Sequence, residues 1–264
     1  MKLPLYQVDS FTQVLFKGNP AAVVLLEDWL SETTMQAIAT ENNLAETAFL
    51  KPLSKELYAI RYFSPICEVP LCGHATLASS FVLFNENQQL TKITFITAKQ
   101  EQLNVKKKQN ALLEMSFPKK PAIRIDTLPV ELLASLSIKP HSVLQNEQAY
   151  FALYESEQGI YDLKVNTELL KKLAPYSLVV TAKGTEYDFI LRYFAPAHGL
   201  AEDPVTGSIH TGLTPYWAEQ LHKKQLRSYQ ASARGGVIFS EELVDKVLIA
   251  GHAKLYAKAI IELV

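Results

Sequence analysis

The sequence predicts an α+β protein of two similar halves, each a barrel-like mixed sheet around one central helix. Three observations carry this. Apolar runs of strand length recur along the whole chain, one motif returns at a fixed distance, and the helix after its first copy is apolar on nearly every side.

In the first half, "YQVDSF", "AAVVLL", "TAFL", "YAIRYF", "KITFIT", "LNVKK" and "ALLEMSF" read as strands bounded by turn residues. "YFALYE", "LVVTA", "FILRYF", "GGVIFS" and "KVLIA" do so in the second. Two segments in each half look helical. One runs from Glu32 to about Asn42, with Met35, Ile38 and Ala39 apolar. "GHATLASSFVLF" spreads Ala75, Leu77, Ala78, Phe81, Val82, Leu83 and Phe84 around its axis, so protein must surround it. "GSIHTGLTPYWAEQL" is more polar, and Pro215 predicts a kinked or shortened helix.

The repeat explains the two halves. "RYFSP" at Arg61 returns as "RYFAP" at Arg192, an offset of 192 − 61 = 131. After an insertion of three residues, "EVPLCGHAT" aligns with "EDPVTGSIH" at an offset of 134, pairing Glu68 with Glu202, Pro70 with Pro204 and Gly73 with Gly207. The same offset carries Leu103 onto Val237, Val105 onto Phe239, Leu113 onto Val247 and Met115 onto Ile249, which preserves the apolar phase of two later strands. The proline-rich "PKKPAIRIDTLP" marks the junction. The expected halves are residues 1–120 and 121–264, with a last strand that can cross over.

Composition narrows the function. A chain of 264 residues, 48% hydrophobic, can bury a substantial core. With 26 Lys+Arg against 27 Asp+Glu the net charge is −1, and the short runs at Lys106–Lys108 and Lys119–Lys120 read as solvated turns, so no nucleic-acid partner is expected. No segment nears the roughly 18 consecutive apolar residues of a membrane span. Two cysteines, and an opening "MKLPLYQVDSF" without a signal-type apolar run, predict a cytoplasmic protein.

The repeated motif suggests anion binding. A glycine opening a buried helix leaves backbone N–H groups and the positive end of the helix dipole for a small carboxylic acid. Gly73 and Gly207 would each supply one such end, aimed at a cleft between the halves. Cys72 at a helix N-terminus is expected to have a lowered pKa, fit for acid/base or nucleophilic work. Cys67, Cys72 and His74 suggest a metal, but His141, His198, His210, His222 and His252 show no zinc-type spacing, so no metal centre is expected.

A duplicated fold with "CG" opening a central helix resembles diaminopimelate epimerase, in which one thiol from each half flanks the reacting carbon. Here Cys72 aligns with Thr206, so a two-thiol racemase is not expected. "VDSFT" with "GNPAAVV", "NLAETAFL", "RYFSPICEVPLCGHATLA", "RYFAPAHGLAEDPVTGSIH" and "QASARGGVI" resemble, in order and over nearly the whole chain, the phenazine-biosynthesis PhzF-like isomerases of the same superfamily.

That resemblance implies two diaminopimelate epimerase-like domains and an isomerase free of metal and cofactor. It places the catalytic carboxylate on Glu46, the histidine on His74, the aspartate on Asp203 and the serine on Ser208. The glutamate would move a proton between carbons of a small, cyclic amino or hydroxy acid; in the namesake enzyme the substrate is trans-2,3-dihydro-3-hydroxyanthranilate. Gly73, Thr206, Gly207 and Ser208 would hold the carboxylate, and the family's known cases imply a homodimer.

Leu44, Ala45, Ala48 and Phe49 put Glu46 in apolar company, expected to shift its pKa toward a range where it both accepts and donates. Asn19 and Pro20 fit equally a turn between strands and a substrate contact. The competing functions are an epimerase using Glu46 with Cys72, and a non-catalytic small-acid binding protein. This chain departs from the family pattern at Ala45, at the extra thiol Cys67, and at "TAKQEQL", where a glycine is usual.

Overall fold

A computed structural model describes residues 1–263, which divide into two compact units, residues 1–116 with 250–263, and Phe117–Ile249. In the first unit the chain forms β1 (Lys2–Ser10), β2 (Asn19–Leu25), α1 (Glu32–Asn42), β3 (Glu46–Pro52), β4 (Leu57–Phe63), β5 (Glu68–Val69), α2 (Gly73–Glu86), β6 (Lys92–Thr97), β7 (Gln102–Lys107) and β8 (Leu113–Pro118). The pairings are β1–β2 antiparallel, β2–β3 parallel, β3–β4 antiparallel, β4–β6 parallel, and β6–β7 and β7–β8 antiparallel.

Both faces of this sheet are covered. Leu3, Val24, Phe49 and Phe63 point toward Met35, Ile38 and Ala39 of α1, while the alternate residues face α2, where Tyr62 meets Thr76 across a 2.6 Å hydroxyl contact. Strands buried on both sides read as continuous apolar runs, which is why "AAVVLL" lacks alternation. α2 packs against β1, β2, β3 and β7, and its residues from His74 to Ser80 are all buried, as its all-round apolar surface predicted.

The second unit contains β9 (Ile123–Arg124), α3 (Val130–Ala134), β10 (Ser142–Gln145), β11 (Ala149–Leu153), α4 (Glu157–Asp162), α5 (Thr167–Leu170), β12 (Ser177–Lys183), β13 (Phe189–Ala195), β14 (Leu200–Asp203), α6 (His210–Leu221), β15 (Gln225–Gln230), β16 (Gly236–Glu242) and β17 (Lys246–Gly251). The first unit's order recurs: β11–β12 parallel, β12–β13 antiparallel, β13–β15 parallel, β15–β16 antiparallel. Leu213 and Trp217 of α6 pack with Phe151, Val179, Phe189 and Leu191. Leu178, Val180 and Ile190 pack on the other side with Ile160 of α4 and Leu170 of α5.

The chain ends in β18 (Ala253–Glu262), paired antiparallel with β1 around a register shift at Gln7/Val8. Residues 250–263 group with the first unit. The junction is also more ordered than its prolines suggest, since Ile123 and Arg124 pair with β10.

The repeated motif holds each unit together. Arg61 donates from Nε and an Nη to the Glu68 carboxylate at 2.7 and 2.6 Å. Arg192 does the same to Glu202 at 2.8 and 2.9 Å. Each guanidinium also lies over a phenylalanine two residues on, 5.2 Å from the Phe63 ring and 5.0 Å from the Phe194 ring. Both arginines lie on the sheet face opposite the central helix, so "RYF" alternates a structural clamp with inward-facing packing.

Two details differ from the sequence expectation. α6 begins at His210, not Gly207; Gly207–Ile209 form a tight turn, with His210 N–H donating to Gly207 O and Thr211 N–H to Ser208 O, both at 3.1 Å. Pro215 does not end the helix, which runs its 12 residues through it. Proline leaves the Thr211 carbonyl without its intrahelical donor, and the Lys120 N–H fills that place at 3.0 Å.

Candidate active site

Strand polarity gathers the first set of residues. β2 and β3 run parallel and begin at Asn19 and Glu46; β1 runs against β2 and ends at Ser10, paired with Asn19. α2 begins at the same end, with Cys72 as its N-cap and Gly73 as its first residue. Ser10 Oγ donates to the His74 carbonyl at 2.8 Å, which pins this helix start to β1. Gly18 makes the approach possible: its φ is +69°, and a Cβ there would meet Ser10 O at 2.1 Å.

His74 is the hub. Its Nε2 lies 3.0 Å from Glu46 Oε2, its Nδ1 lies 3.2 Å from the Asn19 side-chain amide and 3.3 Å from Cys72 Sγ. The His74 side chain is 7% exposed and that of Glu46 19%, but the Oε2 that faces His74 is itself buried. The apolar company expected around Glu46 is thus broken by one imidazole.

Burial works against charge on His74, but Cys72 and Glu46 outweigh it and hold the ring's pKa well above the ordinary histidine value. The lowered pKa expected for Cys72 does not hold. Burial, and then the Glu46 carboxylate, push the thiol up, overriding the helix N-terminus. The Asn19 amide serves either ring state, donating to a bare Nδ1 or, turned over, accepting from a protonated one.

No side-chain hydrogen bond caps α2, and His74, in contact with Glu46, lies in its first turn, where the helix dipole is positive. Cys67 is not part of this group; it is exposed, with Sγ 3.7 Å from Ser64 Oγ. Among the described residues, Glu46, Cys72 and His74 each bring one atom that could ligate a metal to within 4.8 Å of the others.

The second unit assembles Asp203, Thr206, Gly207 and Ser208 on the turn between β14 and α6. Thr206 Oγ1 donates to Asp203 Oδ2 at 2.5 Å. Gln230 of β15 braces both, donating from Nε2 to Asp203 O at 2.7 Å and accepting the Thr206 N–H at 2.8 Å. Gln148 Nε2 donates to Ser208 Oγ at 3.0 Å. His210 lies beneath, Nδ1 3.1 Å from Thr206 O and Nε2 2.8 Å from Ser228 Oγ, and burial pushes its pKa down to about 4. Ser10, Gln148, Gln230 and His210 carry no mark in the sequence that points to this role. Gln230 comes nearest, since it heads "QASARGG", where Arg234 is the more conspicuous residue.

Residues 8–259 match the family model described as phenazine biosynthesis-like protein. The chain belongs to the PhzF family. A relative named as an uncharacterized isomerase from Halalkalibacterium halodurans is 42% identical over 257 residues, covering 96% of both chains. The solved PhzF-family structure from Enterococcus faecalis superimposes with a TM-score of 0.94 at 41% identity, covering both chains fully. A hydroxyproline epimerase from Agrobacterium vitis shares the fold alone, at a TM-score of 0.60 and 10% identity over 98% of this chain and 92% of that one. The PhzF fold is therefore the diaminopimelate epimerase-like one expected. Among the described residues no helix is long and apolar enough to cross a membrane.

Proposed function

We propose that this PhzF-family protein is a metal- and cofactor-independent isomerase that moves a proton on a small, cyclic amino or hydroxy acid, with Glu46 as acid/base. The observation that carries this is the contact of 3.0 Å between Glu46 Oε2 and His74 Nε2 at the uncapped start of α2. Glu46 takes the proton from carbon and returns it to another. The protonated His74 and the Gly73 N–H steady the negative charge that the carbon acid passes to its carboxylate.

Asn19 fixes the His74 ring. Asp203, ordered by Thr206 and Gln230, receives the substrate's amino or hydroxyl group, and Gly207 and Ser208 hold its carboxylate. These roles rest on the sequence repeat and the family resemblance. The free thiols fit the reducing cytoplasm, and we take the working form to be a homodimer.

The test is a screen of cyclic amino and hydroxy acids for hydrogen exchange in heavy water, read by NMR. Exchange that vanishes in Glu46→Gln supports the assignment. Binding without any exchange would make the protein a small-acid binder instead.

A second reading has its own observation. Cys72 Sγ, 3.3 Å from His74 and buried, is placed to give a proton as an epimerase's opposing acid. Exchange undiminished in Cys72→Ala excludes it.

A further inference from the structure

We propose that Glu46, Cys72 and His74 bind one thiophilic divalent cation, zinc being the natural choice, and that the bound ion switches off proton transfer by Glu46. The blocking half rests on the role given to Glu46; the binding half does not.

The donors are gathered around one imidazole. Glu46 Oε2 is 3.0 Å from His74 Nε2, Cys72 Sγ is 3.3 Å from Nδ1 and 4.0 Å from Nε2, and one donor atom from each residue lies within 4.8 Å of the others. Zinc bonds of about 2.0–2.3 Å set neighbouring ligands of a tetrahedral site roughly 3.3–3.7 Å apart, so Glu46 and Nε2 need only part slightly, while the Cys72 side chain swings from beside Nδ1 toward Nε2 to complete the set. A thiolate, an imidazole and a carboxylate together favour zinc over magnesium or calcium, which prefer oxygen alone.

The surroundings suit a ligand set too. The Asn19 amide nitrogen lies 3.2 Å from Nδ1; turned over, the amide presents its oxygen to accept the Nδ1–H that a metal-bound histidine donates, which leaves Nε2 for the ion. Ser10 fixes the His74 backbone, and the three ligands sit on the starts of β3 and α2. Three protein ligands leave a fourth position open to water or to the substrate's carboxylate. On binding, Cys72 gives its thiol proton and His74 its Nε2 proton to solvent, and Glu46 exchanges His74 for the ion. No electron moves. A carboxylate oxygen engaged on the metal no longer accepts a proton from carbon.

Cobalt(II) is the probe, added to the metal-stripped full chain while thiolate-to-cobalt charge-transfer absorption is followed. The band should saturate at one equivalent in wild type and in Cys67→Ala, vanish in Cys72→Ser, and need about ten times more cobalt or beyond in Asn19→Ala. Absence of the band from wild type, or a band lost in Cys67→Ala and kept in Cys72→Ser, overturns the site. Cadmium NMR of wild type needs no variant: a shift in the range of sulfur ligation supports the site, and one typical of nitrogen and oxygen alone overturns it. Exchange activity that zinc suppresses and a chelator restores supports the block; zinc bound at one equivalent with exchange unchanged refutes it. Loss of the isomerase assignment would show separately, as no exchange in the chelator alone.

Discussion

Arg192 grips Glu202 through two parallel hydrogen bonds and spends its remaining donor on the carbonyls of Ile160 and Leu163, at 3.3 and 2.8 Å. Those carbonyls belong to the end of α4, so the arginine joins a strand, a hairpin and a helix end. Its counterpart Arg61 has the Glu68 fork and adds a hydrogen bond to the exposed Glu32, at 3.2 Å. Arg192→Ala should therefore destabilise more than Arg61→Ala, by about 2–4 against 1–2 kcal/mol, from lost charged hydrogen bonds and orphaned carbonyls. Urea unfolding of the two variants measures the order; equal losses would refute the capping role.

Glu46→Gln keeps the shape of the side chain and removes its basicity. Proton exchange should fall by about 10²–10⁴-fold, with the fold retained because the amide fills the same volume. NMR in heavy water and thermal unfolding read the two effects apart.

Gly18→Ala should be harsh. The residue sits at φ +69°, and its new Cβ would stand 2.1 Å from Ser10 O and 2.7 Å from Thr12 Cγ2. A left-handed non-glycine residue and a backbone clash together cost at least about 2 kcal/mol. The turn that delivers Asn19 must also move, so exchange should weaken in whatever fraction still folds. A variant as stable and active as wild type would show that the turn adapts freely.

His210 makes stability depend on pH. Its pKa is about 4 in the folded protein against 6.5 for the free group, so below 6.5 the unfolded chain takes up the proton first. Stability is complete above 6.5 and drains away as pH falls toward 4, by about 3 kcal/mol in all. Urea midpoints measured from pH 7 to 4 should fall more steeply for wild type than for His210→Gln. Parallel curves would refute the assignment.

Much of the fold was legible because period and repetition are local or self-referential. "RYFSP" and "RYFAP" announced the duplication, and "GHATLASSFVLF" announced a helix with no solvent face. Among the strands that escaped, β10, β15 and β18 are amphipathic or partly exposed and lack the dense apolar run by which the others were found, and β5, β9 and β14 are too short to show one. Helix α6 through Pro215 was illegible for another reason: the donor that rescues Thr211 is Lys120, far away in sequence.

The sequence by itself determined the repeat and the family, which follow from residue types in a fixed order, and only through that family resemblance did it point to Glu46, His74 and Asp203. Tertiary structure alone decided what surrounds them. Asn19, Glu46 and Cys72 are far apart along the chain, and only the parallel start of β2 and β3 beside the first turn of α2 sets them around one imidazole. The protonation of Cys72 was decided there as well. A helix N-terminus favours the thiolate, but burial beside the Glu46 carboxylate favours the thiol more.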